Sequence, residues 1–141
     1  MRILLLSPSG STVGDVASVL NAAGDDATLT VVGYATGTLD RATAPIVVRG
    51  SRPGALTRAL RSNAIGRVLL RLSPWDAGRV FARAVGSSAE ATAAAREADL
   101  IVACERDAIL ATWNLARVPG SGSFAARGIA AAVAHLQARA R

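Results

Sequence analysis

The run Arg2-Ile3-Leu4-Leu5-Leu6 restricts the fold of this chain more than any other stretch. Ile3 to Leu6 is unbroken apolar sequence, bounded by Ser7-Pro8-Ser9-Gly10. A strand with one wet face alternates apolar and polar residues. An unbroken run is apolar on both faces and belongs to a sheet covered on both sides. Such sheets are parallel, and each return between neighbouring strands needs a crossover. A second run of this kind, Asp99-Leu100-Ile101-Val102-Ala103-Cys104, lies towards the other end.

The sequence between them supplies the crossovers. Val16, Ala17, Val19, Leu20 and Ala23 repeat at helical spacing, with Ser11 or Thr12 as N-cap and Gly24 as stop. Thr28 to Gly33 is β-branched and reads as a second strand. Residues 34–44 connect it to a short third strand, Pro45-Ile46-Val47-Val48, and a loop follows at 49–54. A mostly helical block spans 54–98. It holds a short helix with Leu56, Ala59 and Leu60, then a stripe of Ile65, Val68, Leu69 and Leu72. Ser73-Pro74-Trp75-Asp76 reads as a helix start with Ser73 as N-cap and Pro74 in the first turn. That helix carries Phe81 and Val85 inward to Gly86, and another runs from Ser87 or Ser88 to Ala98. After the fourth strand, Glu105 to Arg117 reads as a helix with Ile109, Trp113 and Ala116 on one face. Residues 118–123 form a loop, and 124–140 a terminal helix with Ile129, Val133 and Leu136 aligned. Strands alternating with helices predict an α/β fold. The expectation is one domain over 1–141, a three-layer Rossmann-like sandwich with a mainly parallel sheet of about four strands in the order 3-2-1-4.

Composition removes several function classes. One Cys and one His exclude a disulfide framework and a closed Cys/His zinc site, and no metal is expected. The opening apolar run is too short for a signal peptide, and no stretch is long enough to span a bilayer, so a cytoplasmic location is expected. Alanine occurs 31 times and every Lys position is filled by Arg, the mark of a GC-rich coding sequence. The net charge of +6 is concentrated. Residues 41–83 hold nine Arg and one acid, a local +8, and the remainder holds seven Arg and nine acids, or −2. Arg49, Arg52, Arg58, Arg61, Arg67 and Arg71 are the candidate basic patch, either an anion-attracting surface or solvated helix faces. A nucleic-acid partner is not expected, because no helix-turn-helix, zinc or RNP signature accompanies the arginines.

In a doubly wound sheet, ligands bind beyond the carboxyl ends of the strands where the strand order reverses. With order 3-2-1-4, that point lies between strands 1 and 4. The loop Ser7 to Gly14 meets it with hydroxyls, glycines and the start of a helix, a combination that suits phosphate or carboxylate. The candidate ligand residues are Ser9, Gly10, Ser11, Thr12 and Gly14. The loop fits neither Gly-x-Gly-x-x-Gly nor the P-loop pattern. Glu105 and Asp107, beyond strand 4, are the candidate polar groups opposite, unless they only neutralise a helix N-terminus. Cys104 reads as a buried thiol and His135 as a surface or packing histidine, since neither has an activating neighbour in sequence. Trp75 and Trp113 read as core or interface anchors. No catalytic group is identified.

Three stretches carry a family resemblance: Arg2 to Ser7 with the turn through Gly14, Ala98-Asp99-Leu100-Ile101-Val102-Ala103, and Arg106-Asp107-Ala108-Ile109-Leu110. They resemble the N-terminal domain of GT-B fold glycosyltransferases and cover about a third of the chain. The resemblance implies a sugar or diphosphate near Gly10 and Gly14. It also implies a second Rossmann domain, which this sequence does not hold. The expected role is therefore a module without its own catalysis. It would bind a phosphorylated or sugar ligand, as a homo-oligomer or with a partner carrying the second domain. The alternative is flavodoxin-like: Gly10-Ser11-Thr12-Val13-Gly14-Asp15 is similar to an FMN-phosphate loop, although aromatic residues are only 4%. No resident cofactor is expected; FMN and a nucleotide sugar are the ligands these two resemblances would bring.

Overall fold

The first apolar run is the middle of the sheet. In a computed structural model describing residues 1–10, 13–24, 26–34, 44–50, 62, 64, 66, 68 and 73–139, it forms β1 (Arg2–Leu6). Then come α1 (Val13–Ala23), β2 (Thr28–Gly33) and β3 (Ala44–Val47). The second half gives α2 (Ala77–Gly86), α3 (Ala89–Glu97), β4 (Leu100–Ala103), a 3₁₀ turn (Arg106–Ala108) and α4 (Ile109–Ala116), closing with β5 (Phe124–Arg127) and α5 (Ile129–Arg139). The five strands are parallel, in the order β3-β2-β1-β4-β5. Leu4 of β1 is paired with Thr30 on one side and Ile101 on the other.

The pleat explains why β1 is apolar throughout. Leu4 and Leu6 enter one core layer, and Ile3 and Leu5 the other. The first layer lies under α2, α3 and α4, through Phe81, Val85, Ala91, Ala95, Ala111 and Leu115. The second lies under α1 and α5, through Val19, Ala132 and Leu136. The class is the expected α/β sandwich around a parallel sheet.

Four expectations need correction. The sheet has five strands, not four, because Phe124 to Arg127 is a strand and not the start of the terminal helix. Its alanines favour a helix in isolation, but pairing with β4 overrides that preference. The Phe124 amide bonds to the Asp99 carbonyl at 3.0 Å and the Gly128 amide to that of Ala103 at 2.8 Å. Gly128, at φ 83°, then turns the chain into α5.

Secondly, Ser73 does not cap α2. Ser73 and Pro74 open a β-turn closed by the Asp76 amide on the Ser73 carbonyl at 3.3 Å, with Pro74 at its second position. Asp76 is the N-cap, its carboxylate accepting from the Gly78 amide at 3.1 Å. Ser88 caps α3 as read, accepting from the Ala91 amide at 3.2 Å.

Thirdly, Glu105 to Arg117 opens with a 3₁₀ turn, and the face it buries is Ala108, Ala111, Thr112 and Leu115. Trp113 lies outward, 54% exposed, with the Arg117 guanidinium 4.3 Å from its ring centroid. Fourthly, Trp75 is 56% exposed and no core anchor. Small residues on the buried side of α4 leave room for Phe81 of α2, the largest fully buried side chain. The short helix at 56–60 and most of the stripe at 65–72 lie outside the described residues.

Candidate functional site

Where β1 and β4 end side by side, both backbones open into polar turns. The Cys104 amide still bonds to the Leu6 carbonyl at 3.0 Å, which holds the strand ends in register. Beyond them the chain turns on Gly10, buried and at φ 70°, whose amide bonds back to the Ser7 carbonyl at 3.2 Å. Ser7, 1% exposed, and Ser9 therefore stand beside the first residue after β4.

That residue is Cys104, and Glu105 follows it. The Glu105 carboxylate crosses to the β1 loop. Its Oε1 accepts from the Ser7 hydroxyl at 2.7 Å, the Ser9 hydroxyl at 2.6 Å and the Ser9 amide at 3.1 Å. These are short, charge-assisted bonds. Glu105 thus makes no side-chain cap of the turn it precedes. Its Oε2 accepts no hydrogen bond among the described residues, and no arginine among them pairs with it. The donors that suit an anion already hold one, supplied by the chain itself.

The other wall comes from β2. Gly33 lies so close to the loop that a Cβ there would overlap the Ser7 carbonyl oxygen. The next residue, Tyr34, donates its amide to the Pro8 carbonyl at 3.5 Å. Its ring meets Phe81 edge-on, centroids 5.1 Å apart at 77°. Burial raises the Tyr34 phenol above its ordinary pKa, and the nearby Asp107 charge adds to this, against a smaller opposing effect of Arg83. Arg83 is anchored by a bond to the Pro74 carbonyl at 2.6 Å. The Asp107 backbone packs on Gly78, whose missing side chain lets α2 approach the 3₁₀ turn.

Of the expected site residues, the structure brings Ser9, Gly10 and Glu105 together, and the charge of Asp107 acts on the Tyr34 phenol. Gly14 falls in the first turn of α1. Ser11 and Thr12 lie outside the described residues, as do Arg52, Arg58, Arg61, Arg67 and Arg71; Arg49 is described and exposed. Two site residues went unread in the sequence, Ser7 as a direct Glu105 partner and Tyr34. Each is the first residue after a strand, so the rule that ligands lie beyond strand ends would have found both.

The remaining candidates sit elsewhere. His135 stacks flat on Phe124, centroids 3.8 Å apart at 1°, at the amino end of β5 and therefore at the opposite end of the parallel sheet. Cys104 is partly buried, against the second core layer. Among the described residues, no group of His, Cys, Asp and Glu is arranged to hold a metal, and no helix is long and apolar enough to cross a membrane. Comparison with protein-family models, with curated proteins and with solved structures gave no match.

Proposed function

We propose that this chain is a glycosyltransferase-like Rossmann module of the cytoplasm that binds a neutral sugar at the β1/β4 crevice and is not catalytic by itself. One observation carries the choice of ligand: the Glu105 carboxylate seated on Ser7 and Ser9. A phosphate taking the same donors would displace that carboxylate or lie against it. Two unit charges about 4 Å apart repel by roughly 4 kcal/mol at the effective dielectric of a protein surface. A sugar hydroxyl meets no such barrier. It donates to Oε2, which is unused within the described chain. The same repulsion weighs against FMN, whose phosphate would need this loop. Among the described residues the crevice holds the Glu105 carboxylate bonded to the Ser7 and Ser9 hydroxyls, an arrangement assigned here to holding the sugar, and chemistry on the sugar is assigned to a second subunit. That subunit is another copy or a partner with the second Rossmann domain.

Ligand-observed NMR with glucose, glucose 1-phosphate, inorganic phosphate and FMN tests this reading. Glucose should bind, glucose 1-phosphate more weakly, and Glu105→Gln should lose glucose while keeping the native circular dichroism spectrum. Tighter binding of inorganic phosphate or FMN than of glucose would overturn the ligand assignment. Sugar transfer from UDP-glucose by the purified chain alone would overturn the non-catalytic role.

A further inference from the structure

Tyr34 is the single tyrosine of the chain and the first residue beyond β2. Its ring packs on the core layer that holds Phe81. The Gly50 backbone closes over it so tightly that a Cβ there would overlap the ring. The hydroxyl at the end of that ring is buried and has no hydrogen-bond partner among the described residues. A buried hydroxyl without a partner weakens the fold, and phenylalanine would fill the same space without that cost. Packing therefore accounts for the ring and not for the oxygen.

The residue that carries this oxygen borders the crevice. The Tyr34 backbone is bonded to Pro8, between Ser7 and Ser9. The charges acting on the phenol are Asp107, two residues after Glu105, and Arg83 of α2. Tyr34 as a whole is only partly buried, and the Gly50 that packs on its ring is exposed.

We infer that the Tyr34 hydroxyl is a specificity-determining donor of this crevice, giving its hydrogen bond to an oxygen of the neutral, hydroxyl-rich ligand beneath the Gly50 backbone. The inference rests on the sugar reading and adds a residue to it. Glu105 accepts from one part of the ligand, and Tyr34 donates to another. A ligand lacking an acceptor at that point leaves the phenol unpaired and is discriminated against. Burial of the phenol keeps its proton in place for this role.

Tyr34→Phe is the test, with glucose as the probe and two readouts. Thermal stability should be equal to wild type or higher, because the variant removes a hydroxyl that no described residue satisfies. The glucose dissociation constant should rise about three- to tenfold, the value of one neutral hydrogen bond. Loss of stability would overturn the inference by showing that the hydroxyl already has a partner within the protein. Unchanged glucose affinity would overturn it as well and leave the sugar reading standing. If wild type does not bind glucose, the sugar reading fails, and the inference with it.

Discussion

Gly33 and Tyr34 are adjacent, and each is fixed by what touches it. Gly33 ends β2 against the Ser7 carbonyl oxygen, so a methyl group there strikes backbone on the central strand's loop. Backbone cannot swing aside as a side chain can, and overpacking of this kind costs about 1–3 kcal/mol. Gly33→Ala should therefore lower stability by about 2 kcal/mol in urea denaturation and weaken ligand binding through displacement of Ser7. Tyr34 gives a pH prediction. Its phenol is raised above 10.0 in the folded chain, first by burial and then by Asp107. The folded state therefore holds the proton where the unfolded state releases it. This contribution is fully present below pH 10 and is lost as pH rises from there through the folded value. Because the chain has one tyrosine, phenolate absorbance near 295 nm follows this group alone. Folded protein should titrate above a denatured sample, and Tyr34→Phe should flatten the alkaline loss of stability. Titration at the denatured value would refute the burial of the hydroxyl.

At the level of elements, legibility followed the strength of local signals. β1 and β2 were readable to the residue, because apolar and β-branched runs agree with what tertiary pairing requires. β5 was not. Phe124-Ala125-Ala126-Arg127 carries no β-branched residue and buries only Ala126, so neither periodicity nor propensity marks it as a strand. Pairing with β4, 24 positions apart in the register Leu100↔Phe124, makes it one. The loop between β1 and α1 was readable as a polar turn beyond the strand ends. Its hydrogen bonds to Glu105 were not, because the Ser7–Glu105 contact spans 98 positions and no local pattern encodes it. The signal for β5 lay in Gly128 rather than in the strand. At φ 83° with open space around its missing Cβ, Gly128 is required by backbone conformation alone. Gly128→Ala should cost about 1–2 kcal/mol, the penalty for an L-residue in the left-handed region, with no loss of packing. Denaturant midpoint should fall while near-ultraviolet dichroism stays native. A change in the native spectrum would mean that the side chain collides with something after all.

Across the whole molecule, alternate residues of one strand bind the two halves of the core. Leu4 supports the layer beneath α2, α3 and α4, and Leu5, its neighbour, the layer beneath α1 and α5. No element separates these layers except the sheet they share, so loosening either should release both. The tryptophans make this measurable. Trp75 precedes α2 and Trp113 lies on α4, so both report from the Leu4 side. Leu5→Ala acts on the far side. It removes a fully buried leucine and should cost about 2–5 kcal/mol, as should Leu4→Ala. If the two layers unfold as one, the Leu5→Ala variant shifts the tryptophan fluorescence midpoint and the far-ultraviolet dichroism midpoint by the same amount, although neither indole touches the substituted side. If the fluorescence transition keeps its wild-type midpoint while dichroism moves, the layers are independent. The crevice would then rest only on the first of them. A single transition has a functional consequence. Ser7 follows the last residue of β1 and Glu105 follows β4 by two, and both strands carry residues in both layers. The 2.7 Å Ser7–Glu105 bond is then held by the entire core, and Leu5→Ala should weaken glucose binding only in proportion to the fraction unfolded.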